Sequence, residues 1–221
     1  MIRRMLLAAS ASGGDLLSGN NTTIYRHDGI TVNTRSNFPS PASQHRGLTV
    51  ADGNLITVDQ GSDTIYKHSG ISSAVTTSFS SPSIEPRGLT FDGTNLISSD
   101  NDANRIYVHS GMSSSISNSF TAPGASTSGN CRGLAFDGTN LLRVSFTDPR
   151  IHIHSGVSSS VTTSFATPSS NPYGLTFDGT NIISSDVVQQ KIYVHSGKTS
   201  TILRSFDIPV ATDFFDLAFI E

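Results

Sequence analysis

Apolar residues along this chain come in short bursts, and the bursts recur. In Gly88-Leu89-Thr90-Phe91, Leu96-Ile97 and Ile106-Tyr107-Val108 the side chains are bulky or β-branched, and Asp, Gly, Asn and Ser close the ends. Runs of about 4–8 such residues, bounded in this way, read as strands. No segment keeps apolar positions at helical spacing over a useful length, so no helix is predicted.

The bursts belong to a repeat. Arg46-Gly47-Leu48-Thr49 returns as Arg87-Gly88-Leu89-Thr90, as Arg132-Gly133-Leu134-Ala135 and as Tyr173-Gly174-Leu175-Thr176, with the glycines 41, 45 and 41 positions apart. Each unit then runs through Asp-Gly-Thr-Asn or a near variant, a second strand, and a third strand closing on His and Ser-Gly. A Ser/Thr-rich fourth strand ending in Phe completes it. Asp92-Gly93, Asp137-Gly138 and Asp178-Gly179 are hairpin signals, because glycine accepts positive φ. Pro82, Pro86, Pro123, Pro168 and Pro172 are expected between units, where a missing N–H costs no ladder bond.

Four strands at a period of about 40–45 residues is the arithmetic of a β-propeller blade; all-β solenoid rungs are usually shorter. Four units stand on the glycines, and strands two to four of another precede them around Asp15, Ile24 and Thr31–Phe38. The missing first strand is at the far end, where Phe215-Asp216-Leu217-Ala218-Phe219 matches Arg87-Gly88-Leu89-Thr90-Phe91 in its Leu and Phe. The expected fold is all-β: a five-bladed β-propeller of four-stranded antiparallel blades. The C-terminal strand completes the first blade and closes the ring. The expected blades are 13–45 plus 213–221, 46–86, 87–131, 132–172 and 173–212, in a single domain over 13–221.

Residues 1–12 are expected to form an arm outside that ring, although Arg4–Ala8 could also serve as its first strand. Arg3 and Arg4 before Met5, Leu6 and Leu7 also look like a short secretory signal, with an apolar run at the lower limit of length. As an arm, Arg3, Arg4, Met5, Leu6 and Leu7 would dock on a neighbouring copy or partner by strand addition.

Composition narrows the partners. Only 14% of the 221 residues are charged and the formal net charge is -3, which gives no footprint for nucleic acid. No apolar stretch is long enough to span a bilayer as a helix, so no membrane insertion is expected. The 37 Ser and 23 Thr make the polarity neutral and concentrate in the fourth strands, where the chain has few of the lysines that usually protect edges. That favours packing against neighbours.

The candidate chemistry mostly repeats with the blades. His27, His68, His109, His154 and His195 share one register and read as turn-flanking side chains bonded to local backbone. His152 shares a face with His154, but no carboxylate accompanies the pair; neither a metal nor any other cofactor is expected. Asp59, Asp100 and Asp186 end the second strands, where they could hold a ligand or cap turn amides. Arg46, Arg87 and Arg132, with Tyr173 in the fourth place, could ring one channel mouth and recognise an anionic or sugar ligand, or else tie blades together. The fourth unit, over Arg143–Arg150, and the linker Gly124–Asn130 are the irregular places where an asymmetric site would be sought. No nucleophile elbow, P-loop, dinucleotide fingerprint or zinc spacing is present, and no catalytic residue is assigned.

The units Gly-Leu-Thr-Phe-Asp-Gly-Thr-Asn and Ile-Tyr-Val-His-Ser-Gly, with the Ser/Thr strands, resemble propeller repeats of bacterial surface proteins and tailed-bacteriophage structural proteins. The opening Arg3–Ala9 is similar to the leader of phage tail and virion-surface proteins. That resemblance implies a non-enzymatic virion protein, tail-associated, decorating or host-recognising. Its implied partners are other virion proteins, copies of itself, and host-surface glycans. A secreted or cell-surface location is the alternative. Five-bladed enzymes such as plant-type glutamine cyclotransferases, lyases and lactonases are the other relatives considered, with a site in the central channel.

Overall fold

The computed structural model describes residues 13–124, 131–208 and 214–221. Strands β1 (Asp15–Asn20), β2 (Thr23–His27) and β3 (Thr34–Pro39) form three-quarters of the first blade. The second holds β4 (His45–Ala51), β5 (Asn54–Asp59), β6 (Thr64–His68) and β7 (Val75–Ser80); the third holds β8 (Pro86–Phe91), β9 (Leu96–Asp100), β10 (Arg105–His109) and β11 (Ile116–Thr121). The fourth comprises β12 (Leu134–Phe136), β13 (Leu141–Ser145), β14 (Arg150–His154) and β15 (Val161–Ala166). In the fifth are β16 (Pro172–Phe177), β17 (Ile182–Asp186), β18 (Lys191–His195) and β19 (Ile202–Asp207), and β20 (Phe214–Ile220) ends the chain. Among the described residues there is no helix.

The five sheets are four-stranded and antiparallel, and β20 pairs with β1 from Asp15↔Ile220 to Asn20↔Phe214. The ring is therefore closed by the C-terminal strand, as the repeat requires. One detail differs from the sequence reading: Pro86 and Pro172 are not in the linkers but open β8 and β16. The first residue of a strand is where a proline fits a ladder.

The repeat words hold one another. Asp92 Oδ1 accepts the amides of Thr94 and Asn95, which shapes the hairpin between β8 and β9. Asn95 Oδ1 in turn accepts the amide of Gly111 in the Ser-Gly turn, a bond repeated from Asn54 to Gly70, Asn140 to Gly156 and Asn181 to Gly197. Both turns of a blade are thus clamped by a single side chain. In the second blade the first turn shortens to Asp52-Gly53, with φ of 50° and 72°. Two consecutive positive φ values are what a two-residue type I′ hairpin needs.

The core is divided into five clusters, each at a junction between blades. Leu17, Ile24, Leu48 and Leu55 fill the first junction; Ile56, Val58, Ile65, Leu89 and Leu96 fill the second. Corresponding clusters close the other three. Around the axis the innermost strands touch in the order β20, β4, β8, β12, β16. Their closest approach is at glycine: a methyl group on Gly47 would overlap the carbonyl oxygen of Arg87, and one on Gly133 would sit 2.5 Å from that of Tyr173. Gly174 would meet the Cα of Asp216 at 2.9 Å.

Gly88→Ala therefore sets a methyl against the Arg132 carbonyl, with the Leu134 amide nitrogen 2.9 Å away. Backbone on both sides leaves little room to yield, and overpacking of this kind costs about 1–3 kcal/mol. A urea unfolding curve should show that loss for Gly88→Ala, while Gly13→Ala, which meets nothing within 4 Å, should unfold at the wild-type midpoint.

Candidate functional site

The five register histidines are fully buried. Nε2 of His27, His68, His109 and His195 pairs with the hydroxyl of Ser18, Thr57, Ser98 and Ser184 on the second strand of the same blade. Nδ1 of His109, His154 and His195 lies 2.6–2.9 Å from the carbonyl of Ser113, Ser158 and Thr199 in the following turn. A carbonyl can only accept, so in His109 and His195 the proton is on Nδ1 and the serine hydroxyl donates to Nε2. Three of the rings also meet the preceding blade: Phe79 stands edge-on to His109 with centroids 5.8 Å apart, Phe165 meets His195 at the same distance, and Phe120 meets His154 at 6.2 Å. These histidines join strand, turn and neighbouring blade. Burial holds all five below the usual imidazole pKa, His154 at about 4.

In the fourth blade Arg143 replaces the serine. It is fully buried and donates from Nη2 to the carbonyl of Pro123, 2.7 Å away, holding the start of the longest linker. His154 Nε2 is left without a hydrogen-bond partner, and so is Nε2 of His152, which is 3.9 Å from Asp148. Among the described residues, no three His, Cys, Asp or Glu side chains converge on a point that could hold a metal.

Asp59, Asp100 and Asp186 cap turns. Asp59 accepts the amides of Gln44 and Ser62, and Asp100 those of Glu85 and Ala103. Asp186 accepts from Asn171, Val188 and Gln189 and from the Ser169 hydroxyl. Both oxygens of each carboxylate are occupied, and each turn is tied to the linker that enters its own blade.

Arg46, Arg87, Arg132 and Tyr173 stand at the start of four innermost strands, and the structure brings them together at one mouth. Arg87 Nη1 donates to the Tyr173 hydroxyl across the ring at 2.6 Å. Arg132 lies over the faces of Phe146 and Tyr173, with its guanidinium carbon 3.9 and 4.4 Å from the ring centres. Arg46 donates to Asn21 at 2.6 Å and Gln60 at 2.9 Å. Among the described residues the counter-charge is Glu85, 3.5 Å from Arg87 and bonded by Asn101 at 2.9 Å; the Asn101 bond, against the opposing pull of burial, holds its pKa low. Burial, with Arg87 and Arg46 nearby, pushes Arg132 down to about 10, so it stays charged at neutral pH. The Nε groups of Arg87 and Arg132 are buried with no hydrogen-bond partner.

Phe146, Asn21, Gln60, Glu85 and Asn101 complete this mouth, and residue types alone did not single them out. Gln60, Asn101 and Phe146 each follow the last residue of a second strand, so variation at that one register position was the available signal. One residue inside the mouth, Asp216 occupies the register of the glycines. It is fully buried; Oδ2 accepts the Leu48 amide at 2.9 Å and Oδ1 has no partner. Burial raises its pKa well above the usual carboxylate value. Toward the other end of the innermost strands lies a cavity of about 120 Å³, where Thr49, Thr90 and Thr176 join Val50, Phe91, Phe136, Phe177 and Phe219 in the lining. The arm residues Arg3, Arg4, Met5, Leu6 and Leu7 lie outside the described residues, as does 125–130 of the long linker.

No protein-family model matches the chain, and no curated protein matches its sequence. Its likeness to solved structures is in fold. Myxococcus xanthus glutaminyl cyclase superposes with a TM-score of 0.64 at 16% identity, over 74% of this chain and 70% of that one. A chain of the nidogen/laminin complex gives 0.64 at 14% identity, over 94% and 98%. The WD40 propeller domain of Doa1 gives 0.57 at 14% identity, over 91% and 67%. One neighbour is an enzyme, another a WD40 domain and another part of a protein complex, so the likeness carries the propeller and no activity. Nothing in these neighbours links the chain to phage tails or virions.

The histidines carry a pH dependence with a definite sign. His45 is also buried, both ring nitrogens lack partners, and burial lowers it to about 3; His152 falls to about 4. A folded pKa below that of the unfolded chain means that unfolding takes up protons, so stability falls as pH drops through about 6.5 and below. Asp216 works in the opposite direction, because its raised pKa stabilises the fold at low pH and loses that contribution as pH rises through the folded value. Asp63, also raised by burial, acts with Asp216, so two groups oppose seven. Thermal melts from pH 8 to pH 5 should show a steadily falling midpoint, and a flat profile would contradict this account.

Proposed function

We propose that this propeller is a non-enzymatic binding module that takes its ligand at the arginine mouth. The observation behind this reading is how the reactive side chains are occupied: four register histidines bond to a hydroxyl on the neighbouring strand, and the strand-end aspartates cap backbone amides. What gathers instead at one mouth is charge: among the described residues the guanidinium groups of Arg46, Arg87 and Arg132 stand there with Glu85.

The exposed outer strands β3, β7, β11, β15 and β19 favour assembly beside binding. They are rich in Ser and Thr, with Arg35, Arg204 and Asp207 their only charges. Uncharged edges pack side by side without repulsion, which suits a particle or cell-surface module meeting copies of itself, other virion proteins or a host glycan. The alternative, an enzyme with its site in the channel, has one feature in its favour: Asp216 breaks the repeat and has a raised pKa. Its Oδ2 is bonded to the Leu48 amide, however, and it lies beneath the arginines in the narrowest part of the ring.

An array of acidic and neutral oligosaccharides and peptides, probed with the full chain, should show retention that weakens with salt. Mass spectrometry of a retained compound after incubation should return it unchanged. A product mass, or no retention of any class, would overturn the binding-module reading.

A further inference from the structure

At the end of the innermost strands away from the arginines, one aromatic ring is missing. Phe91, Phe136, Phe177 and Phe219 share a register there, opposite Leu96, Leu141, Ile182 and Leu16 of the second strands. In the second blade that register holds Val50, opposite Leu55. A cavity of about 340 Å³ lies at the gap, lined by Val50, Gly53, Phe177, Phe219, Ile220 and Glu221. Val50, Phe177 and Phe219 also line the axial cavity of about 120 Å³, so the two spaces adjoin. An apolar hollow joined to a narrower one is the shape of a small-molecule site, provided that the narrow part offers polar groups.

Main chain supplies them. The amides of Leu16, Leu55, Leu96, Leu141 and Ile182 bond the carbonyls of Gly29, Gly70, Gly111, Gly156 and Gly197, on the side away from the innermost strands. Their pairs with Val50 and the four phenylalanines are thus of the kind that exchange no ladder bonds. Pairing alternates along an antiparallel ladder, so Leu48, Leu89, Leu134, Leu175 and Leu217, two residues back, also turn their N–H and C=O groups from the second strand. No strand pairs on that axial side, and Leu89, Leu134 and Leu217 line the inner cavity. Its wall therefore carries donors and acceptors in equal measure, and none of its lining side chains ionises.

We infer that the two cavities form one binding site for a neutral aromatic molecule, whose ring fills the place left by Val50 and whose hydrogen-bonding end enters the axis. The ring replaces the phenyl group that the other four innermost strands supply for themselves. The end must donate or accept, because apolar matter there would leave main-chain groups unpaired. It must also be uncharged, since an ion would lose its hydration with no counter-charge in the lining of the inner cavity. This site is separate from the arginine mouth and stands without it.

Titration of the isotope-labelled full chain with phenylacetamide, phenylacetate and 2-phenylethylammonium, followed by amide NMR shifts, tests it. Phenylacetamide should shift the amides of Val50, Gly53 and Phe219, bind one-to-one regardless of salt, and bind at least tenfold more tightly than either ion. Val50→Phe restores the residue of the other blades and fills the hollow. It should weaken phenylacetamide binding tenfold or more, with a melting midpoint at or above the wild-type value, as filling a cavity stabilises. If Val50→Phe does not fold, Val50→Leu, which fills part of the space, should weaken binding several-fold. No binding of phenylacetamide, shifts confined to other residues, or a folded Val50→Phe that binds like the wild type would overturn the site. An ion that binds as tightly as the amide would overturn its neutral class.

Discussion

Everything in this molecule depends on how closely five backbones can crowd one axis. Where Gly47, Gly88, Gly133 and Gly174 meet the next strand, main chain touches main chain, and no side chain fits between. That contact sets the radius of the ring and hence the angle between blades. The angle decides how wide each interblade wedge is, and the five apolar clusters are the side chains that fill those wedges. The fifth position of the glycine ring carries Asp216, the one departure from the rule. Its carboxyl group accepts the amide of the next innermost strand, so a polar bond replaces the close packing found elsewhere.

Crowding at the axis also explains where the polar residues went. A thin blade has two turns at one end and a turn beside the incoming linker at the other, with little apolar surface to steady them, so one polar residue clamps each pair. Asn95 joins two turns, Asp100 joins a turn to a linker, and His109 joins strand, turn and the Phe79 of the blade before it. A repeated motif of reactive residue types is thereby a repeated scaffold. Chemistry, if present, belongs where the repeat fails: at Asp216, at Arg143, and at the residues after the second strands.

The fold was legible because it is written several times over. Glycine spacing, hairpin words and the placement of Leu217 and Phe219 were enough to count the blades and to close the ring with the last strand. The mouth was legible only in part. Arg46, Arg87, Arg132 and Tyr173 declare themselves by register, yet Arg87 bonds Tyr173 over 86 residues of sequence, and such a pairing depends on the ring diameter. Glu85 sits in a linker and Phe146 at a variable position, so no pattern points to them. Asp216 was in plain view at the glycine register, and its meaning waited on the packing around it. The prolines at 86 and 172 went the other way: the rule that places them at boundaries could not tell the end of a linker from the first residue of a strand.

The pairing of β1 with β20 has a consequence for how the ring comes into being. Asp15 and Ile220 are about 200 residues apart in sequence, and contacts that distant form late because the intervening chain must first be ordered. Until they form, the first blade exposes the inner edge of β1, and the wedges on both sides of it are incomplete. Four blades can assemble from neighbours in sequence; the fifth is a latch. Long-range closure of this kind slows folding, and any ring still open presents one bare strand edge to which another copy's last strand could pair in place of its own.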